Sequence, residues 1–567
     1  MAFVAGLPEV LKIDRAQTEI DEIANEHYEK TLELSPEIAT SAGRKGRETE
    51  YGDYSPVGVE KLVNLARETL AKLDRATVAD KVDEVTLDVM RERLGLQIEF
   101  YEAGLGIWEL NPIATEAHGI RMIFDLMPQE TAADFGHIVG RMENLPAALA
   151  GFTESLRFHA EKGRIAAKRQ IDLLIEQLAD YGKDGGFFDD LAAAAVAADS
   201  ELETRAVAAA NGAKNAYVSL AEYLQTELLP QAPAKDAFGI ERYSLHSREF
   251  LGSTIDLAET YEWGVGELAR IIAEQEQVAD QIKPGTNIAE AKQILNDDPA
   301  RKLHGTDALR EWMQDLSDRA VQALAGEHFD IAGPMLKLEC MIAPTQDGGI
   351  YYTGPSSDFE RAGRMWWSVP PGVTEFTTWG ETSTVYHEGV PGHHLQIATA
   401  TAMADSLNKY RAEGVWVSGH GEGWALYAER LMEELGFLDD LGDKMGMLDA
   451  QRMRAARVVF DIGMHCEYEI PDEWADKIGV RGVWTAEAGL EFLRQNLDVA
   501  EGNLQFEFHR YLGWAGQAPS YKIGQRVWEQ LREEALERGV SLREFHTEAL
   551  KLGTMGLDSL RRALAAA

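Results

Sequence analysis

Apolar residues recur every three or four positions through most of the first 330 residues, with charged residues between them. This spacing places the apolar side chains on one face of a helix. Alanine, leucine, glutamate, lysine and arginine, which favour helices, make up most of these segments. The pattern predicts helices at 60–73, 82–102, 132–162, 192–229 and 257–282, with turns at 181–186 and 283–286 between some of them.

The pattern changes between residues 333 and 371, where short apolar runs alternate with glycine and proline turns. Strands are predicted at 335–343, 349–353 and 365–369. They can form a small antiparallel sheet along one wall of a cleft, and the edge of that sheet can hold an extended peptide. Helices resume near Trp379. We therefore predict a mainly α protein with a helical region at 1–330 and a second region at 331–567, joined in one continuous fold around the cleft.

The composition is that of an ordinary globular protein, 45% hydrophobic and 26% charged. The net charge of −40 disfavours binding to nucleic acids and to anionic membranes. No basic and apolar leader and no run of 18 apolar residues is present, so a cytoplasmic protein is expected. Cys340 and Cys466 are the two cysteines, and they do not make a disulfide framework.

Three histidines and a glutamate lie within eight residues, at His387, Glu388, His393 and His394. The segment is similar to the His-Glu-x-x-His helix of zinc hydrolases, in which both histidines bind the ion and the glutamate is the general base. Here four residues rather than two separate the glutamate from the next histidine. The alternative is a loop with exposed histidines and no metal.

A regular helix would not bring a second imidazole to the ion that His387 binds. With about 100° and 1.5 Å per residue, His393 would face away, and His394 would lie about 10 Å further along the axis. Pro391 cannot continue the helix, because its ring clashes with the carbonyl of His387. If two residues loop out at Pro391 and Gly392, His393 becomes the second ligand, with His394 beside it as a supporting or substrate-facing residue. The choice between His393 and His394 stays open.

A third ligand is predicted at Glu422, 29 residues after His393, on a helix that starts near Glu422. Glycines flank it on both sides and apolar residues follow, as if its backbone approached something closely. Glu429 lies seven residues later on the same face, where it can hydrogen-bond a ligand histidine. The alternative for Glu429 is a solvated helix face, which is usual in a chain with 95 acidic residues.

The sequence from His387 to Gln396, the later Glu-Gly-Trp-Ala-Leu-Tyr-Ala-Glu from Glu422 to Glu429, and Ser520-Tyr521-Lys-Ile-Gly together resemble the bacterial domain-of-unknown-function family 885. That family is similar in fold to the carboxypeptidase Taq metallopeptidases. The resemblance implies a large helical metallopeptidase-like fold with a deep groove. It also implies that Tyr521 stabilises an oxyanion, and that His509 contacts the substrate.

Arginines at 452, 454 and 457 lie on a predicted helix over 449–464. A guanidinium in the cleft suits a substrate carboxylate, because its planar fork matches that group. The alternative is a cationic edge that pairs with surface acids. Arg457 is the predicted substrate-binding residue, since the apolar Val458 and Val459 follow it and indicate a buried position.

These residues predict a metal-dependent hydrolase that cleaves a peptide or amide bond, in the manner of a carboxypeptidase. His387, His393 and Glu422 would hold one Zn²⁺ ion, with Mn²⁺ or Co²⁺ as alternatives, and Glu388 would take a proton from water. One competing hypothesis is a metal- or peptide-binding protein that has lost catalysis. Another is acid–base chemistry without metal. The expected partner is a peptide or a small acylated amine, and the sequence leaves a homodimer open.

Overall fold

The computed structural model describes residues 6–11, 15–344 and 349–565. The first residues, on which the expected absence of a leader partly rests, lie outside this range. The helices of the described residues are α1 (Glu19–Leu34), α2 (Pro36–Ser41), α3 (Pro56–Leu73), α4 (Lys81–Ala103), α5 (Glu116–Met122), α6 (Ala132–Ala160), α7 (Lys168–Gly182), α8 (Phe187–Ala198), α9 (Glu203–Tyr223), α10 (Ile240–Leu251), α11 (Leu257–Ile282), α12 (Ile288–Asp297), α13 (Thr306–Leu324), α14 (Thr382–Glu388), α15 (His393–Ala402), α16 (Ser418–Glu434), α17 (Leu441–His465), α18 (Asp472–Ile478), α19 (Ala486–Asn496), α20 (Glu501–Gly513), α21 (Ser520–Glu537), α22 (Leu542–Lys551) and α23 (Leu557–Ala565).

The strands belong to two small sheets. They are β1 (Lys302–His304), β2 (Leu338–Ile342), β3 (Ile350–Thr353), β4 (Gly363–Trp367) and β5 (Glu375–Thr377). Strands β1 and β5 pair antiparallel. The other sheet has the order β2-β4-β3, so β4 returns between its two predecessors, parallel to β2 and antiparallel to β3. The prediction of an antiparallel sheet was therefore wrong for one pairing, although the protein is mainly α as predicted.

Amphipathic periodicity located the long helices well. The bounds of α11 are those predicted; α3 begins at Pro56 rather than at residue 60, and α4, at Lys81–Ala103, is one residue longer than predicted at each end. The predicted helix at 192–229 is interrupted, because α8 ends at Ala198 and α9 begins at Glu203. At the break, the Asp199 side chain accepts a hydrogen bond from the backbone N–H of Glu201. This local bond offers the backbone an alternative to the helix.

Two hydrophobic cores hold the helices together. One comprises buried side chains from a single stretch of chain, from Trp108 to Leu228. The other joins residues from both ends of the chain, from Leu7 to Leu564, and includes the fully buried Trp424 and Trp528. The division predicted between residues 330 and 331 stays a prediction. Within the described residues, no helix is both long and apolar enough to cross a membrane.

Helices α16 and α21 cross at glycines and bring two predicted site residues together. A Cβ added at Gly524 would lie 2.0 Å from the carbonyl oxygen of Gly419, and one at Gly423 would lie 2.5 Å from the carbonyl carbon of Gly524. Only glycine allows backbones this close. The side chains of Ser418 and Ser520 also share a hydrogen bond of 2.8 Å at the N-terminal ends of the helices. The crossing therefore fixes the position of α16 relative to α21.

Candidate metal centre

The helix that carries His387 breaks where the sequence predicted. Helix α14 ends at Glu388, four residues follow, and α15 begins at His393. The Val390–Pro391 peptide is cis. A Cβ at Gly392 would lie 1.9 Å from the carbonyl oxygen of His387, so only glycine fits there. Across this interruption, the ring of His393 lies 4.9 Å from the ring of His387, centroid to centroid.

Trp424 fixes the interrupted segment to α16. Its indole Nε1 donates to the carbonyl oxygens of Pro391, at 2.9 Å, and Gly392, at 3.3 Å. The side chain is fully buried. The first bond gives the Pro391 carbonyl a partner at the break, whereas the Gly392 carbonyl also accepts the backbone N–H of Gln396 at 3.2 Å. The indole bonds also hold both histidines next to the helix that carries Glu422.

Glu422 lies between the two imidazoles. Its Oε2 atom is 3.3 Å from Nε2 of His387 and 3.4 Å from Nε2 of His393. Two ligand atoms bound to one tetrahedral zinc ion at about 2.0–2.1 Å are about 3.4 Å apart. The distance from the Glu422 oxygen to each imidazole nitrogen therefore fits a pair of ligands of one such ion, and two imidazoles with a carboxylate are a common ligand set for it.

Glu388 belongs to the same cluster. Ligand atoms of His387, Glu388 and His393 lie within 4.8 Å of one another, and all three residues are buried. Two carboxylates therefore face the imidazole pair. Glu422 differs from Glu388 in that one of its oxygens lies 3.3 and 3.4 Å from the two Nε2 atoms, which makes it the candidate ligand of the pair.

Glu429 contacts the His387 ring nitrogen that does not face Glu422. Its Oε1 atom is 2.8 Å from Nδ1 of His387, and the residue is buried. The bond orients the ring so that Nε2 faces Glu422, as a carboxylate does for many metal-bound histidines. Glu422 and Glu429 lie on one face of α16, the arrangement that their seven-residue separation predicted. That helix begins at Ser418 rather than near Glu422, because its glycines pack closely against neighbouring elements instead of preceding the helix.

Burial and neighbouring charges have opposite effects on the pKa values of His387, Glu388 and Glu422. Burial alone would lower the pKa of His387, but its hydrogen bonds to Glu422 and Glu429 outweigh burial and raise that pKa to about 10. Burial raises the pKa of Glu388, against the opposing effect of His393 and His387. Burial would also raise the pKa of Glu422, yet the two imidazoles hold it well below its usual range. The two carboxyls are thus electrostatically different, which suits different roles.

A cavity of about 280 Å³ opens onto the cluster. Tyr521, at the start of α21, lines it together with Trp416 of the loop before α16 and Arg454 of α17. Residues 350–352 of β3 form part of its wall. Burial raises the pKa of the Tyr521 hydroxyl, and Glu422 adds to that rise. The phenol therefore stays protonated near neutral pH and can donate a hydrogen bond.

His394 points away from the cluster. Its Nδ1 atom is 2.8 Å from the hydroxyl of Tyr352, and its Nε2 atom is 2.9 Å from the carbonyl oxygen of Met335. The ring is 1% exposed, and burial lowers its pKa to about 4. Both nitrogens thus have partners in the protein. The structure places His393, and not His394, beside His387, and it gives His394 no position from which to contact a substrate.

Two other predicted substrate-binding residues lie outside the cavity lining. Arg457 is buried, its Nε atom 2.6 Å from the Tyr511 hydroxyl and its Nη2 atom 3.0 Å from Glu507. It lies behind Tyr521, over whose ring its guanidinium sits at 5.1 Å. His509 lies between Glu507 and Tyr511 on α20, and its ring contacts that of Phe508. The apolar residues after Arg457 correctly indicated burial, but Arg454, one turn earlier, is the arginine that reaches the cavity.

Replacing Glu429 by glutamine is expected to weaken metal binding about 10–100-fold, because an amide orients the His387 ring less strongly than a carboxylate does. Competition with a chromogenic chelator measures the affinity. Glu434→Gln is the matched control, since Glu434 lies on the same helix with a half-exposed side chain paired to Arg532. Equal affinities in the two variants would contradict the supporting role of Glu429.

Replacing His394 by glutamine is expected to lower the free energy of unfolding by about 1–3 kcal/mol, because two buried partners lose a ring of matching shape. Metal content should be unchanged. The same substitution at His393 should remove most of the bound metal. Denaturant unfolding and elemental analysis of both variants test the pair of outcomes. Loss of metal from the His394 variant alone would show that the ligand assignment is wrong.

Two solved structures have a fold similar to that of this chain, and their descriptions name no reaction or ligand. A crystal structure of a "putative lipoprotein" from Colwellia psychrerythraea matches with a TM-score of 0.81 at 22% identity, covering 97% of this chain and 98% of that one. A "putative lipoprotein of unknown function" from Shewanella oneidensis matches with a TM-score of 0.71 at 17% identity, covering 96% and 99%. A search of curated proteins found no match.

The family comparison extends over nearly the whole chain. Residues 36–564 match the model of DUF885, described as a bacterial protein of unknown function. The matched range includes α14 to α21 and with them every residue of the cluster. The chain therefore belongs to the DUF885 family.

Proposed function

We propose that this protein is a metal-dependent hydrolase that cleaves a peptide or amide bond. The observation that carries the proposal is the placement of one Glu422 oxygen at 3.3 and 3.4 Å from the Nε2 atoms of two buried histidines. A second carboxylate, Glu388, lies beside them and opens onto the same cavity. This is the set of groups that hydrolysis with a single zinc ion requires.

The ion would be held by His387, His393 and Glu422. Such an ion lowers the pKa of water towards neutrality and polarises a carbonyl group. The buried Glu429 would keep His387 in the orientation that presents Nε2. Because the ligands come from three helices joined through Trp424 and the glycine crossing, the fold itself holds them in position.

Glu388 is the proposed proton carrier. It lines the cavity next to both imidazoles, and its raised pKa brings it closer to neutrality than an exposed glutamate. A base of that kind can accept a proton from water and then donate it to the leaving amine. The Glu422 carboxyl has a pKa far below this range and suits a ligand rather than a proton carrier.

Tyr521 supplies a hydrogen-bond donor on the cavity wall. Its hydroxyl stays protonated at neutral pH, because burial and Glu422 both raise its pKa. A donor that reaches a carbonyl oxygen can stabilise the negative charge that develops during attack. The glycine crossing of α16 and α21 sets the position of Tyr521 relative to Glu422.

Strand β3 offers a route for an extended substrate. In its sheet it pairs with β4 on one side, and its residues 350–352 line the cavity. An extended peptide can add to such an edge through backbone hydrogen bonds. This arrangement supports a peptide as the substrate, and the size of the cavity limits the part enclosed to a small group.

The proposal is tested on the purified protein by elemental analysis and by mass spectrometry of a peptide mixture before and after incubation. We expect one transition-metal ion per chain, cleavage of peptides, loss of cleavage after chelation and recovery after Zn²⁺ is restored. Absence of metal after expression in metal-supplemented medium would overturn the proposal. Stoichiometric metal without cleavage of any peptide or acylated amine would favour a binding protein instead.

A further inference from the structure

Arg454 carries a charge that no carboxylate pairs with in the described part of the chain. It lies on α17 and lines the cavity together with His387, Glu388 and Tyr521. Its Nε atom is buried without a hydrogen-bond partner. Its Nη1 atom makes a long contact, 3.4 Å, to the carbonyl oxygen of Ala450, one turn back on its own helix. Among the described residues, no carboxylate lies within salt-bridge distance of this guanidinium.

Two neighbouring arginines, unlike Arg454, lie within salt-bridge distance of a carboxylate. Arg457 pairs with Glu507 at 3.0 Å, and Arg510 lies 3.4 Å from the other oxygen of the same carboxylate. The guanidinium groups of Arg454, Arg457 and Arg510 all lie near Tyr521, where they partly oppose the rise in its pKa that burial and Glu422 cause. One carboxylate, Glu507, thus serves two arginines and leaves Arg454 without one, in a chain where acidic residues outnumber basic residues by 95 to 55.

A partly buried guanidinium is normally paired, because taking its charge out of water costs free energy. Here the side chain lines a cavity that a ligand can enter. An arginine that presents its fork to a cavity can bind a carboxylate through two parallel hydrogen bonds. The missing partner of Arg454 would then be a group that enters the cavity with the substrate.

We propose that Arg454 binds a carboxylate of the substrate and so selects substrates that carry one close to the scissile bond. The inference rests on the proposed hydrolase function. The carboxylate is either the C-terminus of a peptide, which would make the enzyme an exopeptidase, or an aspartate or glutamate side chain. A cavity of about 280 Å³ has room for the small group that such recognition encloses.

Charge compensation within the cluster is the competing role for Arg454, since its charge also lowers the pKa of Glu388. The two roles predict different results. If Arg454 only compensates charge, its replacement changes the affinity for the metal. The protein would then bind a free acid and the corresponding amide equally well, with or without Arg454. Recognition of the substrate makes a preference for the carboxylate depend on Arg454.

The test measures binding without turnover, by calorimetry on metal-loaded Glu388→Gln protein. Three ligands are compared: N-acetyl-Ala-Ala-Ala as the free acid, its C-terminal amide, and N-acetyl-Ala-Ala-Glu amide. The free acid should bind at least about tenfold more tightly than the first amide, as expected for a charge-assisted bidentate contact. If the glutamate amide binds as tightly as the free acid, the recognised carboxylate is that of a side chain.

Adding Arg454→Met should remove the preference, and Arg454→Lys should keep part of it. Arg481→Met is the matched control, because Arg481 is 62% exposed and pairs with Asp472 on the surface. A wild-type preference that survives in the Met variant, or no preference for either carboxylate over the amide, would overturn the assignment. Since binding is read directly, a protein that prefers the acid but hydrolyses nothing would retain this inference and lose the proposed function.

Discussion

Glu388→Gln is expected to reduce peptide cleavage about a thousandfold, within the range of roughly 10²–10⁴ that a positioned general base contributes. The substitution preserves the shape of a buried side chain and removes its ability to accept a proton. The effect should appear in kcat, with little change in KM, because the group acts in the reaction and not in binding. Metal content should stay near one ion per chain.

Glu422→Gln is the informative companion, since both glutamates face the same imidazole pair. It should lose both metal and activity, whereas Glu388→Gln loses activity alone. Glu434→Gln, on the same helix as Glu422, should retain both. If the metal is lost from the Glu388 variant and kept in the Glu422 variant, the two carboxylates have to exchange roles. Full cleavage by the Glu388 variant would end the general-base assignment.

Gly524→Ala should destabilise the protein by about 3 kcal/mol or more, at the upper end of the usual cost of overpacking. The new methyl group would lie 2.0 Å from the carbonyl oxygen of Gly419, an atom of the backbone that no rotamer change can move away. Helix α21 would have to shift from α16, and Tyr521 would move with it. Loss of stability should therefore be accompanied by loss of cleavage at temperatures where the variant is still folded.

Gly266→Ala provides the matched control, because Gly266 is exposed on α11 and a Cβ there would meet open space. That variant should gain up to about 1 kcal/mol, the difference between glycine and alanine in a helix. Denaturant unfolding of both variants gives the comparison. A Gly524 variant as stable as the wild type would show that the two helices are not held at the observed separation.

Local patterns predicted the elements of this fold better than their pairing. Periodicity gave α11 its bounds because its apolar face is buried along the whole length. The strands were located approximately, but the position of β4 between β2 and β3 depends on contacts that a strand's own sequence does not encode. The predicted start of α16 near Glu422 was wrong, because glycines 419, 421 and 423 lie within the helix, where they allow Leu251, Trp416 and α21 to approach closely.

The part of the candidate site that depends on the backbone geometry of proline and glycine could be predicted from the sequence. Pro391 and Gly392 required a break, and the break determines which imidazole meets His387. The arginines show the opposite case. Arg454 and Arg457 are one turn apart on α17, and the packing of Glu507 and Tyr511 against that helix decides which of them reaches the cavity. The spacing of residues within α17 therefore does not predict which arginine reaches the cavity.

The two hydrophobic cores differ in when they can be completed during synthesis on the ribosome. The core between Trp108 and Leu228 comes from one stretch and can close once that stretch has emerged. The core shared by both ends cannot, since α4 packs against α23 and Asp88 pairs with Arg562, 474 positions later. Helices α3, α1 and α10 can cover most of α4 earlier, but the part of α4 that contacts α23 stays uncovered until translation is nearly finished. A nascent chain stopped before α23 would therefore expose that part of its own first helices.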